Sequence, residues 1–269
     1  MRRLRLQMMA GGVPLDPDAQ AFLTAAGITD ATITAAIDTL VLDLKGYGLW
    51  TKMKAIYPFV GGTATTHKYN LKDPQDTNAA FRLVFAGGWT HSANGAQPNG
   101  TNAYADTFLI PSIVLSQNNT HLSYYSRTNS LTNSAEIGFV AAGNDRLLMN
   151  IYFSGSYNSD QYNLLTGRVS TPNTNTIGFY NANRTSASSH KAYKNGNQVG
   201  STNTGSSGSI LIINGKIYLS ADNNTSGIAS NFSNKQCAFS SIGDGLTDTE
   251  AANYYTAVQL FQTTLGRQV

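Results

Sequence analysis

The sequence predicts a mainly β protein, in which an antiparallel β-sandwich is preceded by a helical hairpin and followed by a C-terminal helix. The first reason is periodicity: from about residue 56 to residue 245, apolar residues tend to recur at every second position. That spacing puts them on one face of a strand. One such face is predicted to carry Leu147, Met149, Ile151 and Phe153.

The second reason is a pair of turn signals. Asn195-Gly196 and Asn214-Gly215 each lie between strand-like runs. Asparagine and glycine accept the positive φ angles of a tight type I′ turn, so each pair predicts a β-hairpin. Several short strands joined in this way are typical of a sandwich.

Composition is the third reason. The chain has 269 residues, of which 41% are hydrophobic and only 12% are charged, with 25 glycines, 14 tyrosines and 11 phenylalanines. Disordered chains are rich in charge and poor in aromatic residues, so this composition excludes one. Turn formers mixed with aromatic and β-branched residues are what short strands and tight turns require.

The N-terminal part has helical spacing instead. Asp16 and Pro17 are suited to begin a helix and Gly27 to end it. A second helix begins near Asp30, and its apolar face is formed by Ile33, Ile37, Leu40, Val41 and Leu44.

The C-terminal end is again helical, since Thr247 and Glu250 form a capping box before an apolar stripe. The predicted organisation is therefore an N-terminal arm (1–14), a helical hairpin (15–52) and a β domain (56–269). We expect the hairpin to pack within its own chain.

Charge and cysteine content exclude several classes of protein. The formal net charge is +3, and Arg2, Arg3 and Arg5 account for all of it, so a continuous basic face for nucleic acid is not expected. Cys237 is the only cysteine, which rules out an intrachain disulfide. We find no apolar run long enough for a secretory signal or a membrane span, and therefore expect synthesis in a cytosol.

The last eighty residues resemble laminin-G/concanavalin-like jelly-roll domains. Residues 191–196 (KAYKNG) resemble the Tyr-x-Asn/Asp-Gly hairpin of these domains, residues 217–221 and 239–244 their following strands, and residues 245–250 (GLTDTE) the helix that often ends them. Earlier, residues 99–105 resemble their opening strand. The resemblance covers roughly residues 60–265 and implies a jelly-roll fold.

A second resemblance concerns residues 50–62 (WTKMKAIYPFVGG). They look like a segment that precedes such domains in structural proteins of phages infecting Bacteroidetes-type bacteria. This implies a virion protein, such as a fibre, spike or capsid decoration, made in the host cytoplasm without a signal peptide. Its implied partners are other virion proteins, reached through the N-terminal arm and helices, further copies of the chain in a homo-oligomer, and host surface polysaccharide.

Catalysis is not expected. Many relatives of the sandwich are glycoside hydrolases, which need two carboxylates flanking the scissile bond. The only glutamates are Glu136 and Glu250, and Glu250 is already explained as a capping residue. A free lectin-like carbohydrate-binding module and, less favoured, a glycoside hydrolase relative remain alternatives to the virion hypothesis.

No metal or other cofactor is predicted either. The four histidines are scattered and show no metal-ligand spacing. Asp106, Asp222 and Asp244 lie where loops could bind calcium, but single aspartates in turns are usually turn formers.

The most suggestive binding stretch is residues 86–102, which we interpret as a long loop. In this interpretation Trp89 offers a flat face to a sugar, and His91, Asn94 and Asn99, together with Gln97, supply hydrogen bonds. The alternative is that Trp89 covers the open end of the sandwich and the glycines only let the loop turn, and we favour that alternative.

Overall fold

The computed structural model describes residues 14–163, 167–209, 211 and 214–269. The helices are α1 (Pro17–Ala26), α2 (Ala31–Gly46), α3 (Ala64–His67), α4 (Pro111–Val114) and α5 (Asp248–Thr264). Short 3-10 turns cover Trp50–Lys52, Asn78–Ala80 and Ala142–Asn144. The predicted arm, residues 1–14, lies outside the described residues except for Pro14.

The strands follow in chain order. They are β1 (Met53–Tyr57), β2 (Val84–Ala86), β3 (Trp89–Ser92), β4 (Gly95–Pro98), β5 (Tyr104–Asp106), β6 (Thr120–Ser126), β7 (Ile137–Val140), β8 (Arg146–Phe153), β9 (Ser156–Asn163), β10 (Val169–Pro172), β11 (Gly178–Ser186), β12 (Ser189–Lys194), β13 (Asn197–Asn203), β14 (Tyr218–Leu219), β15 (Asp222–Asn224), β16 (Ala229–Ser230) and β17 (Cys237–Gly243).

These strands form two sheets, and the mainly β sandwich is confirmed. The first sheet has the order β13-β12-β11-β6-β17-β4-β3, with β1 also paired to β17. The second has the order β10-β9-β8-β7-β14-β5-β2, with the β15–β16 hairpin attached to β7. Their described pairings are antiparallel except that of β15 with β7.

Helices cover one outer face of the sandwich. Helices α1, α2 and α5 share an apolar cluster with the first sheet, to which Tyr125, Phe179 and Phe239 contribute. A second cluster lies between the sheets, and Tyr124, Tyr180 and Leu122 belong to it. Because successive side chains of a strand point to opposite faces, β6 and β11 feed both clusters. The molecule therefore has three layers, with the helical hairpin packed within the chain.

The predicted helix ends are confirmed. Asp16 accepts a hydrogen bond from the Asp18 N–H and Gly27 ends α1 in the left-handed conformation (φ 65°). Asp30 caps α2 through the Ile33 N–H. Thr247 and Glu250 form the reciprocal capping box of α5. No helix in the described ranges is long and apolar enough to cross a bilayer.

One of the two predicted hairpins forms. Asn195 (φ 51°) and Gly196 (φ 77°) connect β12 to β13, as expected of a type I′ turn. The strand-like run predicted before Asn214-Gly215 comprises residues 210–213, of which 210, 212 and 213 lie outside the described residues, so this hairpin stays a prediction. The strand that follows it, β14, pairs with β5 and β7.

A C-terminal arginine ties the layers together. The five N–H groups of Arg267, 1% exposed, donate to the Gln262 side chain and to the carbonyls of Pro58, Phe59, Ala93 and Ala238. Burial lowers the pKa of Arg267 to about 9. This guanidinium holds the end of α5 against β17 and against the turn between β3 and β4.

Candidate binding sites

Residues 86–102 are not the long loop that the sequence predicted. Most of them form the β3–β4 hairpin at the edge of the first sheet, with Trp89 opposite Pro98 and Ser92 opposite Gly95. Gly95 (φ 122°) allows β4 to lie close to β17, because a Cβ at its position would lie 2.2 Å from the Cys237 carbonyl oxygen.

Trp89 is turned towards the protein. Its side chain is partly buried against the cluster between the sheets, and its ring lies edge-on to Phe85 with 5.2 Å between centroids. The indole Nε1–H donates to the carbonyls of Ala86 (2.9 Å) and Tyr104 (3.3 Å). Its only polar group is thus engaged internally, an arrangement that suits a packing residue. A ligand-binding role for Trp89 stays a prediction.

His91 has a partner that the sequence did not reveal. Its Nδ1 lies 2.9 Å from the Nδ1 of His67, so one ring donates a proton to the other. His67 also lies edge-on to Phe59. Burial lowers the pKa of His91 and, with the charge of Arg267 and the nearness of His91, lowers the pKa of His67 to about 3. Both rings are therefore neutral at pH 7. Their pairing was not expected, because the four histidines are scattered along the sequence.

The predicted asparagines lie at opposite ends of the hairpin. Asn94 is exposed at its turn. Asn99 lies beyond β4, where its Oδ1 accepts from the N–H groups of Thr101, Asn102 and Ala103. At roughly 3.3 Å per strand residue, the five steps from Asn94 to Asn99 span about 16 Å. The hairpin therefore does not bring these two asparagines close together, and a shared ligand-binding role for Trp89, His91, Asn94 and Asn99 stays a prediction.

A different cavity lies on the outer face of the second sheet. On β8, Leu147, Met149 and Ile151 point into the cluster between the sheets, so the alternate residues Arg146 and Leu148 point outward. Together with Asn150 they form the floor of a cavity of about 420 Å³. This volume is within the range of small-ligand sites, roughly 300–1,000 Å³.

Phe153 enters this cavity because of a bulge. The sequence placed it on the core face with Leu147, Met149 and Ile151, which is wrong. The register of β8 and β9 shifts between Asn150 and Phe153, and such a shift re-aims the following side chain. Phe153 is only partly buried and lines the cavity, where it adds an aromatic surface to a polar lining.

The β15–β16 hairpin forms one wall. Asp222, 4% exposed, accepts hydrogen bonds from Ser230 Oγ (2.5 Å) and Asn231 Nδ2 (2.8 Å). Burial raises the pKa of Asp222. Asn224 also lines the wall, and its Oδ1 accepts from the backbone of Ser226 and Ile228. These bonds within the hairpin fix the polar side chains that face the cavity.

Two guanidinium groups complete the lining. Arg168 donates Nε and Nη2 to the fully buried Asp160, at 3.1 Å and 2.5 Å from Oδ2. Arg146 lies on the floor, and burial lowers its pKa. Both arginines come from a chain in which charged residues are scarce. That scarcity was the one sequence signal that could have directed attention to them.

The carboxylates considered for catalysis or calcium have other roles. Glu136 is fully buried and pairs with the equally buried Lys235 at 3.1 Å, while Glu250 pairs with Lys52 at 2.6 Å. Asp106 pairs with Lys216, and Asp244 with Lys54. Within the described ranges no three His, Cys, Asp or Glu side chains are placed to hold a metal ion.

No protein-family model and no curated protein matches the chain. Solved structures do. A mutant of Trypanosoma rangeli sialidase that displays trans-sialidase activity superposes with a TM-score of 0.54 at 12% identity, over 85% of this chain and 39% of that one. A structure of botulinum neurotoxin type C, described as dependent on two ganglioside molecules for cell entry, superposes with a TM-score of 0.50 at 11% identity, over 79% of this chain and 52% of that one.

These similarities establish the fold. The chain is a jelly-roll β-sandwich with added helices. It spans about half or less of the length of either neighbour. At such identities the activities of the neighbours are not carried over, since one sandwich supports many functions.

Proposed function

We propose that this protein is a non-enzymatic, lectin-like carbohydrate-binding module. The observation that carries the proposal is the polar cavity on the sheet face that α1, α2 and α5 leave uncovered. Its lining combines amides, a carboxylate, guanidinium groups and the ring of Phe153. Sugars need this combination, because directional hydrogen bonds fix their hydroxyls while an aromatic surface covers their C–H groups.

The similarity to a sialidase and to a ganglioside-dependent toxin supports a carbohydrate ligand. A shallow site of this kind gives weak binding, about −4 kcal/mol or millimolar affinity. Repetition of the site in several copies can raise the overall affinity by about 10²–10⁴ without a new contact.

The test is a panel of immobilised glycans with three proteins. The unsubstituted chain is expected to bind at least one glycan, Phe153→Ala to lose that binding, and Trp89→Ala to keep it. Loss with Trp89→Ala alone would move the site to the β3–β4 hairpin. Release of free sugar from a bound glycan would overturn the non-enzymatic part of the proposal.

Display on a phage virion is the finer hypothesis, and residues 50–62 are the observation that favours it. In the structure this segment contains β1 and joins the helices to the first sheet. Virion partners reached through the N-terminal arm, and a homo-oligomer, belong to the same hypothesis. Mass spectrometry of purified particles tests it, together with light scattering of the isolated chain. Absence of the protein from particles would leave the free lectin-like module.

A further inference from the structure

The charge of the cavity lining is unbalanced. Two guanidinium groups, Arg146 and Arg168, face a single lining carboxylate, that of Asp222. The other nearby carboxylate, Asp160, is fully buried and holds Arg168. With Asp160 counted, the two cations and two anions are equal in number, but only Asp222 of the two carboxylates lines the cavity, so a ligand there meets two guanidinium groups and one carboxylate.

Asp222, the one carboxylate in the lining, is engaged within its own hairpin. Both of its oxygens already accept hydrogen bonds, from Ser230 and from Asn231. Burial raises its pKa, which means that the charged form is disfavoured where it lies.

The two arginines are suited to an anion. Asp160 binds Nε and Nη2 of Arg168 and so fixes the plane of its guanidinium. Arg146 is disfavoured as a cation mainly because it is removed from water. The charges of Asp160 and Asp222 reduce this cost, and the nearby charge of Arg168 adds to it. A ligand that brings a further negative charge reduces the cost again, whereas a neutral ligand does not.

Resting on the proposed function, we propose that the cavity recognises an acidic saccharide through its carboxylate, held by Arg146 and Arg168. A planar carboxylate matches the planar fork of a guanidinium, which donates two parallel hydrogen bonds. The sugar hydroxyls then lie against Asn150, Asn224 and Phe153.

The experiment uses a matched pair of ligands, methyl β-D-glucuronide and methyl β-D-glucoside, which differ in the carboxylate alone. Titration calorimetry or saturation-transfer NMR of the full chain is expected to show roughly tenfold or greater preference for the glucuronide. The preference should shrink as salt is raised, because salt screens charge pairs that solvent can reach.

Variants locate the effect. Arg146→Gln should remove the preference while residual binding of the glucoside remains, and Arg146→Lys, which keeps the charge without the fork, should retain part of it. Arg82→Gln is the matched control. It removes one arginine charge from a surface pair with Asp76 and should leave the preference unchanged.

Equal affinity for the two glycosides overturns the acidic ligand class while the carbohydrate-binding function stands. Binding of a methyl glucoside sulfate but not of the glucuronide overturns it as well, in favour of a sulfated sugar. Failure to bind any glycan overturns both proposals. If Arg146→Gln does not fold, the affinities of the unsubstituted chain for the two glycosides, and their dependence on salt, still test the proposal.

Discussion

Mild acid is expected to destabilise this protein, because its core contains three neutral histidines. Burial is the main cause that lowers the pKa of His67 to about 3, of His121 to about 4 and of His190 to about 3. His121 lies between the Asp244 carbonyl and Ser241 Oγ, and His190 lies against Ser159 Oγ. Each site accommodates a neutral ring. His121 has a carboxylate nearby, that of Asp244, whose charge offsets the effect of burial only in part.

The direction follows from the pKa difference between the two states. Each histidine has a lower pKa in the folded protein than in the unfolded chain, about 6.5, so the unfolded chain binds more protons below that pH. Stability is therefore fully present above about pH 6.5 and is lost as pH falls towards 4. At pH 5 each histidine costs about 2 kcal/mol, and the three together about 6 kcal/mol. That is comparable to the whole stability of many domains, about 5–15 kcal/mol.

Urea unfolding followed by tryptophan fluorescence at pH 7.5, 6.5, 5.5 and 5.0 measures this loss. The interval above pH 5 separates the histidines from most carboxylates, whose unfolded pKa values lie near 4. His121→Asn can still donate to the Asp244 carbonyl. It should reduce the slope of the free energy of unfolding against pH by about one third, because about two histidines instead of three then take up a proton on unfolding. Arg82→Gln, at a surface pair with Asp76, serves as control and should leave the slope unchanged. A free energy of unfolding that stays constant from pH 7.5 to pH 5 would refute the reasoning.

Three further changes test the packing. Arg267→Met should cost about 4 kcal/mol or more, because it leaves several buried carbonyls without donors; an unchanged urea midpoint, as expected for the surface control Arg82→Met, would show that the tether is dispensable. Lys235→Met should cost about 3–5 kcal/mol by stranding the buried carboxylate of Glu136, and adding Glu136→Leu should restore part of the loss; a double variant less stable than the single one would contradict this. Trp89→Ala should cost roughly 2–4 kcal/mol, seen as a several-degree fall in melting temperature, whereas an unchanged melt would point to a surface role.

The parts of the fold that the sequence predicted are those that local chemistry determines. Asp16, Asp30 and Thr247 cap helices with their own side chains, and Asn195-Gly196 needs only its φ angles to turn the chain. The turn signal at Asn214-Gly215 did not indicate that β14 pairs with distant strands, β5 and β7. Local turn chemistry carries no information about which strand lies alongside.

The candidate site was less accessible to sequence reasoning for the same reason. Arg146, Arg168 and Asp222 come from three separate stretches, and only the strand order of the second sheet brings them to one cavity. Phe153 needed knowledge of a register shift, and the pairing of His67 with His91 needed the contact between α3 and the edge strand β3. The alternation of side chains along β8 correctly predicted which face each residue occupies as far as the bulge. Beyond the bulge, the prediction for Phe153 was wrong.

The two outer faces of the sandwich differ, and this difference bears on how several copies of the proposed weak site would act together. The helices cover the first sheet and present Leu42 and Leu260 as partly exposed apolar side chains, whereas the second sheet carries the cavity. Attachment of several copies through the helical side would leave every cavity facing solvent, and this is the geometry that multivalent binding requires. Attachment through the outer face of the second sheet would block the cavities. The choice is measurable, because a cysteine introduced at Leu42 or at Asn224 and labelled with a bulky probe should prevent assembly in the first case and glycan binding in the second.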